Sequence, residues 1–154
     1  MFQLQPISAG STPGTVTLAI GEIPKSKQGL KAFVMTMDTK ENRWNEPFTT
    51  AVRKALKYVK DHDDASVLIT RSSSQKFFSN GLDLDNLDLS NPKFMAEFAK
   101  EVMGAFADVL ELPIPTICMI QGHAFGAVSC SDTRVYYCYL RRVHTDVESC
   151  SVHD

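Results

Sequence analysis

Two glycine-bearing segments constrain this chain of 154 residues more than anything else in it: Lys76-Phe77-Phe78-Ser79-Asn80-Gly81-Leu82-Asp83 and Gln121-Gly122-His123-Ala124-Phe125-Gly126-Ala127. Each follows an apolar run of strand character. Glycine at such a place lets the backbone turn sharply and come close to a ligand. Two turns of this kind meeting at one point can each aim a main-chain N–H at a shared oxygen, which is the geometry of a split oxyanion hole.

The elements between these segments are legible from apolar spacing. Lys31 to Met37 reads as a buried strand closed by the polar stretch Asp38 to Asn45. From Pro47, residues Phe48, Val52, Ala55, Leu56 and Val59 share one helical face, with Asn45 as N-cap and Arg53, Lys54, Lys57 and Lys60 opposite. Ser66 to Thr70 is the next strand and leads into the first glycine segment. Asn91-Pro92 opens a second helix whose apolar face runs from Phe94 through Met95, Phe98, Val102 and Phe106 to Leu110, a width that predicts burial over much of its circumference. Pro113 and Pro115 stop it, and Thr116 to Ile120 runs into the second segment.

Strands alternating with helices predict an α/β layer with parallel pairing, in which ligands bind outside the carboxyl ends of the strands. Residues 1–30 hold four of the eight glycines and three of the seven prolines, and read as a loosely ordered arm with one edge strand, Thr15 to Ile20.

Composition excludes several classes of function. A net charge of −2 leaves no surplus to neutralise a phosphate backbone, so no nucleic-acid partner is expected. No apolar run reaches membrane-spanning length, so no membrane partner is expected either. Cys130, Cys138, His144, Cys150 and His153 include no tight ligand pair, and no metal is expected. Without a leader segment the cysteines are read as reduced thiols.

From Lys31 to Ala127 the chain resembles the enoyl-CoA hydratase/isomerase (crotonase) superfamily, and within it the plant-type Δ3,Δ2-enoyl-CoA isomerases. The resemblance rests on three motifs in the family's order: Asn42-Arg43-Trp44-Asn45; Val67 to Thr70 ahead of Phe77-Phe78-Ser79-Asn80-Gly81; and Leu112-Pro113-Ile114-Pro115-Thr116 ahead of Gly122-His123-Ala124. It implies the N-terminal part of a crotonase-like fold, repeated strand-strand-helix turns, in truncated form. It also implies that the N–H groups of Leu82 and Ala127 hold a thioester oxygen. Asn80, Gly81, Gly122, His123 and Gly126 would line the substrate site, and Arg43 would meet phosphates of coenzyme A. The thioester is then the substrate and no separate cofactor is required.

Isomerisation needs a base, which the family supplies about two dozen residues past the second loop, a position falling near Ser151. Glu148 is the one candidate, three residues out of register. Hydration of 2-enoyl-CoA is the alternative activity, but the two glutamates of a hydratase would fall near Cys130 and Cys150, which cannot replace a carboxylate pair. A third reading is a non-catalytic form that binds acyl-CoA or modulates full-length subunits. Asp83 and Asp85, beside the first loop, are read as capping a following short helix.

Residues 128–154 depart from the family pattern and hold three of the four cysteines and three of the four tyrosines, as a different exon end or a shifted frame would produce. Such a tail would leave the apolar face of the second helix incompletely covered. The resemblance further implies acyl-CoA or enoyl-CoA as ligand, a homo-oligomer of the family's trimeric kind, and a peroxisomal location, with cytoplasm as the alternative because no targeting tripeptide ends the chain.

Overall fold

The computed structural model describes residues 3–125 and 135–139. In chain order the elements are β1 (Gln5–Thr12), β2 (Val16–Glu22), β3 (Lys31–Met37), α1 (Glu46–Asp61), β4 (Val67–Ser72), β5 (Phe77–Ser79), α2 (Pro92–Leu110), β6 (Thr116–Ile120), β7 (His123–Ala124) and β8 (Val135–Tyr139). One sheet has the order β1-β2-β3-β4-β6-β8, and β5 pairs with β7 apart from it. Pairing is antiparallel from β1 to β3 and parallel from β3 onward.

Register explains the core. Leu18 pairs with Met35 and Val16 with Met37, while Phe33 pairs with Leu68, so the period of two puts these side chains on one face. Phe48, Val52, Ala55, Leu56 and Val59 of α1 close over them, and each is buried. Burying one such large side chain contributes about 1.5 to 3 kcal/mol. Helix α1 starts where its cap allows: Asn45 accepts the Phe48 N–H at 3.0 Å, and Pro47 falls in the first turn, where its missing N–H costs nothing.

Helix α2 is capped likewise by Asn91, which accepts the Phe94 N–H at 3.2 Å. It is less buried than its sequence predicts. Phe98, Val102 and Ala105 are buried and Phe94, Met95, Phe106 and Val109 partly so, whereas Met103 is 63% exposed. Arg53 fastens α2 to α1 by donating to Glu101 and Asp108.

The N-terminal residues correct the expectation of a loose arm. They form a β-hairpin, and the run read as an edge strand lies in β2, paired on both sides, with β1 at the edge. Gly10 misled because it is a packing residue: a Cβ there would lie 2.6 Å from Leu18 Cδ2 and 3.1 Å from the Tyr58 ring. Within the departing tail, residues 135–139 add β8 beside β6, where no element was predicted.

Candidate active site

Strand β4 ends at Ser72, and the chain returns through β5 to Asn80 and Gly81. Asn42 anchors this return. It is fully buried at φ 48°, its Nδ2 donates to Ser72 Oγ at 2.7 Å and to the Phe78 carbonyl at 2.9 Å, and its Oδ1 accepts the Thr39 N–H and hydroxyl, each at 3.0 Å. Ser79 Oγ completes the knot by donating to the Asn42 carbonyl at 2.7 Å.

The next residues pair with Trp44. Its N–H donates to the Gly81 carbonyl at 2.8 Å, and its carbonyl accepts from the Asp83 N–H at 2.9 Å. A trans peptide holds C=O and N–H on opposite sides of its plane, and no peptide described is cis. With the Gly81 carbonyl turned toward Trp44, the Leu82 N–H of the same peptide points away from it. Among the described residues nothing accepts that hydrogen. Gly81 makes the turn at φ 75°, a region other residues enter at a cost.

The second segment docks on the first. The His123 N–H donates to the Lys76 carbonyl at 2.8 Å and the Phe125 N–H to the Ser79 carbonyl at 2.9 Å, while the Asn80 N–H reaches the Glu41 carbonyl at 2.9 Å on the opposite side. The first loop is therefore held between residues 41–44 and residues 123–125. Gly122, at φ 73°, permits the approach, since a Cβ there would sit 2.2 Å from the Lys76 oxygen.

The two loops predicted to meet do meet, and the Leu82 N–H has no acceptor among the described residues. Gly126, Ala127 and Glu148 lie outside the described residues, as do Cys130, His144, Cys150 and His153. His123 is exposed, its ring against Phe77 and Phe125. Asn80 donates to Glu41 at 3.0 Å, a tie between the first loop and the 41–44 segment. Arg43 is engaged by carboxylates, at 2.7 Å from both Glu41 and Asp85 and 3.7 Å from Asp83. Lys54 and Lys57 are likewise occupied, by the Ser11 carbonyl and by Asp61.

Asp83 and Asp85 cap no short helix, because residues 84–90 form turns and bends with no helix among them. The buried Asp83 carboxylate accepts from Asn45 at 2.9 Å and from Asn86 at 3.0 Å. Those bonds, Asn45 foremost, hold its pKa below the ordinary 3.8. Asn80 and then Arg43 do the same for Glu41. A general base needs a pKa near the working pH, and these bonds hold both carboxylates below the ordinary carboxylate value. Among the described residues, then, the site can hold and polarise an oxygen but offers no poised base.

Sequence reasoning missed Asn42, Ser72 and Ser79. The available signal was an asparagine in a polar turn, the type that tolerates positive φ. A cavity of about 500 Å³ bounded by Gln3, Ile20, Lys25 and Lys31 is not part of the site. Lys31 begins β3, which runs parallel to β4, so this cavity lies at the other end of the sheet from the loops.

The family model described as enoyl-CoA hydratase/isomerase matches residues 26–131. The chain belongs to this family, the crotonase superfamily, close to its enoyl-CoA isomerases. It is 37% identical over 89 residues to enoyl-CoA delta isomerase 1, peroxisomal, of Arabidopsis thaliana, covering 56% of this chain and 36% of that protein. Against enoyl-CoA hydratase domain-containing protein 2, mitochondrial, of Mus musculus the identity is 22%, covering 75% of this chain and 39% of that protein. The fold is shared with an enoyl-CoA hydratase from Geobacillus kaustophilus HTA426, at a TM-score of 0.64, 20% identity, and coverage of 79% of this chain and 42% of that one. The chain thus spans 36% to 42% of the length of these three relatives.

Proposed function

We propose that this chain binds acyl-CoA thioesters, with the thioester oxygen received by the Leu82 N–H and by the N–H of Ala127, and that its family activity is the Δ3-to-Δ2 isomerisation of enoyl-CoA in unsaturated fatty-acid β-oxidation. The observation that carries the reading is the Leu82 N–H, turned away from Trp44 with no acceptor among the described residues. Removing a proton from C2 of a 3-enoyl thioester sends the electron pair onto the carbonyl oxygen. Returning a proton at C4 leaves the double bond between C2 and C3. The negative oxygen between those steps is what such donors stabilise, by about 3 to 4 kcal/mol per donor.

Isomerisation is preferred to hydration because it asks for one base and hydration for a carboxylate pair, while Glu41, Asp83 and Asp85 beside the first loop are all engaged. In this reading Glu148, three residues out of the family's register, is the one candidate for the base. Binding and turnover are separable properties here: the glycine loops suffice for the first, and the second requires Glu148. A peroxisomal location accompanies the isomerase reading through the Arabidopsis relative's name, and a homo-trimer accompanies the fold.

Two measurements on purified protein test this. Calorimetry with butanoyl-CoA is expected to show saturable binding, and absence of binding sinks the proposal. Conversion of 3-enoyl-CoA to 2-enoyl-CoA is expected to be lost in Glu148→Gln; binding without turnover in the unmodified chain selects the non-catalytic reading.

A further inference from the structure

Asn42 bonds the first loop at Phe78 and Ser79, ahead of the oxygen-binding donor, and its chain neighbours Glu41 and Trp44 bond Asn80, Gly81 and Asp83 around it. We propose that Asn42 is a positioning residue: it sets the direction of the Leu82 N–H by fixing the backbone on either side of the peptide that carries it. The inference rests on the thioester-binding reading above.

All polar groups of the Asn42 side chain are used. Its two Nδ2 hydrogens go to Ser72, at the end of β4, and to the Phe78 carbonyl in β5, and its Oδ1 takes both donors of Thr39. The main chain is fixed as well, because its N–H donates to Thr39 Oγ1 at 2.9 Å and its carbonyl accepts from Ser79. A fully buried amide with every group satisfied has one low-energy orientation.

Its neighbours transmit that orientation. Glu41 receives the Asn80 N–H, and Trp44 brackets residue 82 through Gly81 and Asp83. Residues 41–44 therefore act as a template strand for residues 80–83, and Asn42 fixes that template to β4 and β5. Leu82 is itself 43% exposed, and its apolar side chain can make no hydrogen bond. The aspartate variant separates this role from simple packing, since it keeps shape and the Oδ1 acceptor while losing both Nδ2 donors.

The test reads the oxygen directly and needs no turnover. Infrared spectra of butanoyl-CoA labelled with 13C at its carbonyl, bound to the unmodified protein, should show the carbonyl band lowered from its position in water-free reference solvent by hydrogen bonding. Asn42→Asp should bind the same ligand with Kd within about threefold while the band moves at least halfway back. Val59→Ala, which thins the core at the other end of α1, should keep the unmodified band despite lower stability. An unmoved band in Asn42→Asp overturns the positioning role alone. Failure of the unmodified protein to bind overturns the thioester reading and this inference with it. Should Asn42→Asp fail to fold by circular dichroism, Ser72→Ala removes one acceptor of the same amide; an intermediate band supports the role and an unchanged band overturns it.

Discussion

The main-chain N–H of His123 donates to the carbonyl of Lys76 at 2.8 Å, and this bond seats the second glycine loop on the first. It exists because residue 122 has no side chain. The dependence is steep, since the nearest atom a Cβ would meet is the very oxygen that accepts the bond.

Gly122→Ala should therefore separate the loops. With a positive φ and a backbone clash together, the expected destabilisation is about 2 to 4 kcal/mol, read from the urea midpoint. Butanoyl-CoA binding should fall with it. An alanine variant with unaltered midpoint and affinity would show that the loops do not depend on this contact.

Asp83 predicts an acid limb. Its folded pKa is depressed, so its contribution to stability is present above its ordinary 3.8 and is lost as pH falls through the folded value. Asp83→Asn should cost about 1 to 2 kcal/mol at pH 7 and converge with the unmodified protein in strong acid. Parallel stability curves across that range would count against the assignment.

Cys118 should be inert in the native protein. Burial on β6 pushes its thiol up to about 11, so almost no thiolate exists at neutral pH. Iodoacetamide labelling followed by peptide mapping should leave Cys118 unmodified at pH 7.5 until denaturant is added; rapid native labelling would contradict the packing described.

Trp44 is the single tryptophan of the chain and its backbone pairs with Leu82. Its indole lies between Phe48 and Phe106, with centroids at 5.2 and 5.3 Å. Occupation of the oxygen site should thus change tryptophan emission saturably, with the same Kd as calorimetry. A ligand that binds calorimetrically without altering the emission would place its carbonyl elsewhere.

How much of this could be seen in the sequence depended on the kind of interaction involved. Helices α1 and α2 were legible because one face of each repeats at helical period and Asn45 and Asn91 cap them. Strands β3, β4 and β6 were legible as short apolar runs ending at turn residues. Strand β1 was not, because Gly10 makes room for Leu18 and Tyr58, and a glycine required by close packing reads like one required by a loop. The glycine loops announced themselves, but the Asn42 knot did not. Its partners Ser72 and Phe78 lie 30 and 36 residues away, and nothing in a polar turn states which distant carbonyl its amide will meet.

Around Arg43, three carboxylates share one guanidinium, so one flank of the first loop carries more negative charge than positive. On the other flank His123 contacts the ring of Phe77, and the Lys76 ammonium stands 5.0 Å over that same ring. Charges within about 8 to 10 Å still feel one another at physiological salt. Under the acyl-CoA reading proposed above, a polyanion seating its carbonyl between the loops would be repelled from the Arg43 side and turned toward Lys76. In that reading the arginine that a motif would nominate to greet phosphates would instead help decide which way they face.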